Sequence, residues 1–150
     1  MKLSTKGRYG LKAVVDLAVN YGEGPTALPA LAKSQGISEA YLERLLRTLK
    51  NDGIVETARG AQGGYALSIA PEALNVGRVL RVLEGSTSIV DCVGTGGGSG
   101  CKNACTCAAR PLFLTLQNKI DSVLNDTSIR DLAEDYLEQK RRLEHAKSLS

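Results

Sequence analysis

Four cysteines, the only ones in this 150-residue chain, lie within one short segment between Asp91 and Cys107. They are Cys92, Cys101, Cys105 and Cys107, and a glycine-rich stretch separates the first two. Clustered thiolates can bind zinc or an iron–sulfur cluster, act as a redox switch, or form disulfides. A segment so rich in glycine costs much backbone entropy to order, so we expect a bound group or a neighbouring element to hold it.

The spacing of the cysteines leaves zinc, a cluster and a redox switch open. Zinc sites usually contain two C-x-x-C hooks, whereas the gaps here are eight, three and one residues. An iron–sulfur cluster needs soft thiolates on a loop that can wrap it. A redox switch needs a readily formed thiolate, which Lys102, Arg110 and a helix starting near Pro111 would favour at Cys107.

The composition is that of a globular protein, with 43% hydrophobic and 23% charged residues. The length suits one domain, or one domain with an appendage. No apolar run is long enough to cross a bilayer, and the N-terminus lacks the apolar core of a signal peptide. We therefore expect a cytoplasmic protein without a membrane partner, in which disulfides are disfavoured. The net charge of +3 arises within residues 1–70, which suits a nucleic-acid-binding face there.

The elements before the cysteines follow a helix–turn–helix pattern. Helical periodicity predicts a first helix from about Ser4 to Tyr21. Thr26 is then the expected cap of a short second helix, Gly36 supplies the turn, and Ser38 caps the third helix. The third helix has a leucine stripe, opposite a polar face that a major groove could accept. The stripe comprises Leu42, Leu45, Leu46 and Leu49, and the polar face Ala40, Glu43, Arg44 and Arg47.

Residues 54–58 and 65–69 read as two antiparallel strands joined by a flexible tip that begins at Arg59 and Gly60. A hairpin directly after a helix–turn–helix is typical of a winged helix. Arg59 is placed to enter a minor groove, because narrow A·T-rich grooves attract arginine.

After Pro71 the pattern predicts a helix ending at Gly85, and beyond the cysteines a helix with a broad apolar band. That band exceeds what a one-sided helix needs, which suggests burial against a second subunit. A capping box at Ser128 opens a last helix; from about Glu138 the chain turns charged, and its end is expected to fray. We expect the band to comprise Leu112, Phe113, Leu116, Ile120, Val123 and Leu124, with Leu114 outside it.

The sequence resembles the Rrf2 family of bacterial winged-helix regulators, within it the iron–sulfur cluster regulator (IscR-like) branch. The resemblance rests on Tyr9–Lys12, the block from Gly36 to Leu67, and residues 79–85. Its most diagnostic part is the Arg-Gly-x-x-Gly-Gly-Tyr wing at residues 59–65. It implies a mainly α fold: a winged helix-turn-helix with a small β-hairpin wing and a long C-terminal dimerisation helix.

The resemblance also implies the DNA-contacting residues. Ala40, Glu43 and Arg44 fall where the recognition helix reads bases, and Glu43 falls where the family discriminates between classes of DNA site. A carboxylate there can accept a hydrogen bond from a cytosine amino group. The candidate DNA-binding set is Ser38, Ala40, Tyr41, Glu43, Arg44, Arg47, Arg59 and Gly60.

The resemblance favours a 2Fe-2S cluster over zinc, since Cys92, Cys101 and Cys107 match the cysteines of the branch. Where the branch has a histidine as fourth ligand this chain has Arg110, which stays protonated and cannot coordinate. The only histidine, His145, is expected to lie exposed in the polar tail. Cys105 is extra relative to the pattern, and we expect it to be the fourth ligand; the alternative is a spare thiol.

Together these features predict a homodimeric transcriptional regulator that binds double-stranded DNA and senses cluster status or oxidative stress. Its expected units are residues 1–85 for DNA binding, 86–110 for the cysteine loop and 111–150 for dimerisation. One alternative is a cluster-free regulator of the same family, governed by thiol oxidation or a partner. Another is a small iron–sulfur electron-transfer protein. No catalytic constellation is recognisable, so we do not expect an enzyme.

Overall fold

The computed structural model describes residues 2–61, 63–94 and 101–150. Its architecture is mainly α, with one two-stranded hairpin. Short 3-10 turns cover Pro71–Ala73 and Asp91–Val93. The helices are α1 Thr5–Val19, α2 Leu28–Gln35, α3 Glu39–Asn51, α4 Val76–Glu84, α5 Arg110–Asp126 and α6 Ile129–Ser148, and the strands are β1 Val55–Ala58 and β2 Gly64–Leu67.

The predicted helix–turn–helix is confirmed, apart from one cap. Gly36 has a left-handed backbone at φ 65°, and the Ser38 hydroxyl accepts a hydrogen bond from the Tyr41 N–H at 3.2 Å. Thr26 is not the cap of α2: its backbone N–H and carbonyl instead bond to Tyr65, both at 2.8 Å. The Thr26 prediction was wrong because this pairing joins residues far apart in sequence.

One hydrophobic core joins the helices. The four leucines of α3 are buried together with residues of α1, α4 and the start of α6. Ile129 and Ala133 of α6 belong to the same cluster as Ala13 and Leu17 of α1, so α6 packs back onto the first part of the chain. Within the described ranges, no helix combines the length and apolar character needed to cross a membrane.

Helices α1 and α4 approach each other closely because α1 has glycines at the contact. A Cβ built on Gly7 would lie 2.1 Å from Glu84 Oε1, and one on Gly10 would lie 2.3 Å from Leu83 Cδ1. The Glu84 carboxylate accepts hydrogen bonds from the Ser4 N–H at 2.9 Å and the Ser4 hydroxyl at 2.7 Å. Glu84 therefore ties the start of α1 to the end of α4.

Helix α6 begins as predicted and includes the charged end of the chain. Ser128 and Asp131 form the capping box, with bonds of 2.9 and 3.0 Å. The bond from the Ser128 N–H, and then that involving its side chain, lower the pKa of Asp131. The helix runs through the charged turns from Glu138 to Ser148. Ion pairs of Glu138 with Arg141 (i,i+3) and Arg142 (i,i+4) support these polar turns.

Helix α5 has apolar residues on two sides, which differs in detail from the predicted band. Phe113, Leu114, Ile120 and Leu124 are half-buried toward the rest of the chain. Leu114 was expected to lie outside the apolar band, but it is on the packed side. The face of α5 that is turned toward the rest of the chain consists of residues 113, 114, 117, 120 and 124. Leu112, Leu116 and Val123 are 59%, 44% and 65% exposed.

The buried side chain of Gln117 fixes the segment between α4 and the cysteines. Its carbonyl oxygen accepts a hydrogen bond from the Ile89 N–H at 2.8 Å. Its amide nitrogen donates to the Thr87 carbonyl at 3.3 Å and to Asp121 Oδ1 at 3.0 Å. The chain that leads into Cys92 is therefore held against α5 by one side chain.

Replacing Gln117 by leucine tests this attachment. Gln117→Leu leaves the Ile89 N–H and the Thr87 carbonyl without their partner, so we expect the free energy of unfolding to fall by about 1–3 kcal/mol. Urea denaturation measures the change, and amide exchange at Ile89 should become faster. Gln139→Leu, at an exposed position of α6, is the matched control. Equal stability of both variants would contradict the assignment.

Candidate nucleic-acid interface and cysteine loop

The predicted reading face of α3 lies on the surface. Leu42, Leu46 and Leu49 are completely buried and Leu45 nearly so, which fixes the rotation of the helix. Ser38, Ala40, Arg44 and Arg47 are exposed, and Glu43 is half-buried. These side chains therefore lie on the solvent side of α3, opposite the buried leucines.

Tyr41 differs from the other predicted contacts because its half-buried ring packs against another helix. Its ring packs edge-on against Tyr9 of α1, with centroids 6.4 Å apart and an interplanar angle of 86°. Arg44 lies 6.0 Å from the Tyr41 ring, and Lys12 lies 5.5 Å from the Tyr9 ring. The contact between the two tyrosines therefore places Lys12 of α1 and Arg44 of α3 beside neighbouring rings. Sequence reasoning had not assigned this role to Tyr9.

Two polar contacts shape the remainder of this face. Arg47 donates to Glu43 Oε1 at 3.0 Å, one turn along α3. Lys50 Nζ donates to Thr57 Oγ1 at 3.0 Å, which links the end of α3 to β1. The hairpin is therefore positioned relative to α3 by a side-chain contact as well as by the core.

The predicted antiparallel hairpin is present, with strands at 55–58 and 64–67 in place of the predicted 54–58 and 65–69. Val55 pairs with Leu67, and Ala58 pairs with Gly64. Arg59 and Gly60 follow β1 on the exposed tip, and Gly60 has φ 112°, a conformation that favours glycine. At the base, a Cβ on Gly64 would lie 2.2 Å from the Thr26 carbonyl oxygen, so only glycine fits. Gln62 lies outside the described residues.

The cysteines flank a stretch, Thr95–Gly100, that lies outside the described residues. Cys92 is in the 3-10 turn before it and Cys107 precedes α5; both are half-buried, whereas Cys101 and Cys105 are exposed. All four thiols are free. Within residues 2–61, 63–94 and 101–150, no three potential ligands are already arranged around a metal position.

The residues around these thiols are compatible with a thiolate-ligated group. Four soft donors are present, and Arg110 contributes positive charge at the first residue of α5. Its backbone N–H bonds to the Cys107 carbonyl at 3.3 Å. Its Nε–H is buried and has no hydrogen-bond acceptor among the residues that the structure describes. Such a donor suits an anionic group nearby. His145 is exposed on α6, as expected.

Solved structures of similar proteins have the same fold. CymR of B. subtilis, described as its global cysteine regulator, superposes with a TM-score of 0.76 at 40% identity, covering 89% of this chain and 97% of that one. IscR of T. potens has a TM-score of 0.73 at 36% identity, covering 91% and 88%. The predicted fold class is confirmed.

Sequence comparison gives the same relatives. CymR of Bacillus subtilis (strain 168) is 41% identical over 89% of this chain and 90% of its own length. IscR of Aliivibrio salmonicida (strain LFI1238) is 36% identical over 90% of this chain and 79% of its own. The Rrf2 family profile, described as "Iron-dependent Transcriptional regulator", matches residues 3–135. The chain therefore belongs to the Rrf2 family of DNA-binding transcriptional regulators.

Proposed function

We propose that this regulator is a homodimer that reads an operator with α3 and the wing, under the control of a 2Fe-2S cluster in the Cys92–Cys107 loop. The observation that carries the DNA-reading part is the exposed face of α3, fixed by four buried leucines on the opposite side. The exposed Arg59 on the adjoining wing supplies a second point of contact.

Each proposed DNA contact follows from chemistry and position. Arg44 and Arg47 can donate to guanine or phosphate, Glu43 can accept from cytosine, and Ala40 can contact a thymine methyl group. Ser38, at the N-terminus of α3, is placed for a phosphate, while Tyr41 positions Arg44. Arg59 and Gly60 would follow the wing into the minor groove.

Arg59→Ala tests the role of the wing. We expect affinity for a duplex selected from a randomised library to fall about tenfold, because a desolvated arginine contact with DNA is lost. Fluorescence anisotropy at several salt concentrations measures the affinity and its salt dependence. Arg142→Ala, on the exposed part of α6, is the control and should bind normally. Equal losses in both variants would exclude a specific wing contact.

The exposed apolar side of α5 supports the proposal of a homodimer. Leu112, Leu116 and Val123 recur at helical spacing along 17 residues of one helix. Because each is already partly covered, burying the remaining exposed area would gain about half of the roughly 1.5–3 kcal/mol that full burial of such a side chain is worth. A twofold contact between two copies of α5 would cover the same face on both subunits.

Leu116→Glu should weaken such a dimer. A carboxylate at the centre of the apolar stripe must be desolvated to associate, so we expect a shift toward monomer in sedimentation equilibrium. Asn118→Glu adds the same charge at an exposed polar position of α5 and should leave the dimer intact. A wild-type protein that stays monomeric at tens of micromolar would contradict the proposal.

For the cluster, we propose Cys92, Cys101, Cys107 and Cys105 as ligands, with zinc as the less favoured occupant. A bound cluster would supply sensitivity to iron supply and oxidants. This chain's own residues would transmit the state of the loop. Gln117 joins the segment before the cysteines to α5, and Glu84, the last residue of α4 before that segment, bonds to Ser4 at the start of α1. The segment that leads into the loop therefore lies between a contact with α1 and a contact with α5.

Cysteine replacement tests the ligand set. After anaerobic purification we expect about two iron and two sulfide ions per chain, with the visible absorbance of a 2Fe-2S centre. Cys107→Ser and Cys105→Ser should each lose them, because neither leaves four soft donors. Thr106→Ala, between the two cysteines, should retain them. A colourless wild-type protein that holds zinc would contradict the cluster, and a loaded Cys105→Ser variant would exclude Cys105 as a ligand.

A further inference from the structure

The two arginines on the reading face of α3 have different partners. Arg47 donates to Glu43 Oε1 at 3.0 Å, whereas Arg44 lies over the Tyr41 ring at 6.0 Å. The carboxylate is therefore paired with one specific arginine, four residues further along the helix. This bond uses one carboxylate oxygen and leaves Oε2 available as an acceptor.

In the free protein this pair contributes little. The side chains of Arg47 and Glu43 are 65% and 45% exposed, and solvent-exposed i,i+4 ion pairs add little to stability. The order, with glutamate before arginine, is the favourable one. The pair therefore orients the carboxylate but adds little to the stability of the free protein.

In a DNA groove the same pair would matter more. Phosphates repel an unpaired carboxylate, and displacement of water strengthens that repulsion. A guanidinium bonded to the carboxylate cancels most of its charge as seen by the phosphates. Arg47 keeps further N–H groups with which to donate to a phosphate.

We propose that Arg47 is a specificity-determining residue that acts through Glu43. Its guanidinium neutralises the carboxylate, so that Oε2 can accept a hydrogen bond from a cytosine amino group while the phosphates tolerate the side chain. This inference rests on the proposed insertion of α3 into a major groove. It predicts that the contribution of Arg47 to DNA affinity depends on the charge at position 43.

A double-mutant cycle tests this dependence. The probe is one duplex recovered by selection with the wild-type protein from a randomised library. We expect Arg47→Ala to weaken binding of the wild-type protein at least about fivefold more than it weakens binding of the Glu43→Ala variant. Glu43→Gln, which removes the charge but keeps an acceptor, should relieve the dependence on Arg47 in the same way.

Arg44→Ala is the matched control, since it removes the same charge from the same face without touching the pair. Its effect should be nearly the same with and without Glu43. Equal effects of Arg47→Ala in both backgrounds would overturn the proposal, and so would equal coupling of both arginines to Glu43. Circular dichroism of each variant verifies that α3 is intact.

The failure of this inference is distinguishable from failure of the proposed function. If the library yields no preferred duplex and binding is the same for all sequences, the proposed insertion of α3 is wrong. Selection of a duplex that Arg59→Ala binds less tightly, together with no coupling in the Glu43–Arg47 cycle, would refute only the proposed role of Arg47.

Discussion

The close contact between α1 and α4 is the constraint on which the remaining arrangement depends. Gly7 and Gly10 carry no side chains at the contact, so Glu84 and Leu83 can reach the α1 backbone. Glu84 then accepts two hydrogen bonds from Ser4, at the end of α4. A larger residue at Gly7 would displace this carboxylate. The direction in which the chain leaves α4 relative to α1 therefore depends on the absence of side chains at Gly7 and Gly10.

The segment after Gly85 is held at its other side by Gln117. Its amide satisfies backbone groups at Thr87 and Ile89 within a few residues of Cys92. Because this segment begins directly after Glu84, a rearrangement of the cysteine loop would act on α4 at one end and on α5, which carries an exposed apolar face, at the other. Bistable arrangements of such packed contacts are the usual basis of ligand-controlled switches. In the proposed regulator, these contacts would transmit a change in the cysteine loop to the helices that bind DNA.

Most of the features that could be predicted depend on residues that lie close together in the sequence. The leucine stripe of α3, the Ser38 cap, the left-handed Gly36 and the capping box at Ser128 all depend on residues within one or two turns. Contacts between distant residues could not be predicted: Thr26 with Tyr65, Tyr9 with Tyr41, and Glu84 with Ser4. The role of Gln117 could have been inferred from the sequence, since a polar residue at an inward-facing helical position needs buried hydrogen-bond partners. The exposed face of α3 was predictable, and so was the pairing of Glu43 with Arg47, because residues i and i+4 are neighbours on a helix.

In the proposed regulator, the state of the cysteine loop determines which DNA sequences are bound. The most direct test is selection of bound duplexes from one randomised library by the apo protein and by the anaerobically iron- and sulfide-loaded protein, side by side. We predict two consensus sequences that differ at positions facing α3, because the segment leading into the loop follows the α1–α4 contact and is bonded to α5. One identical consensus, bound with equal affinity by both forms, would contradict the account.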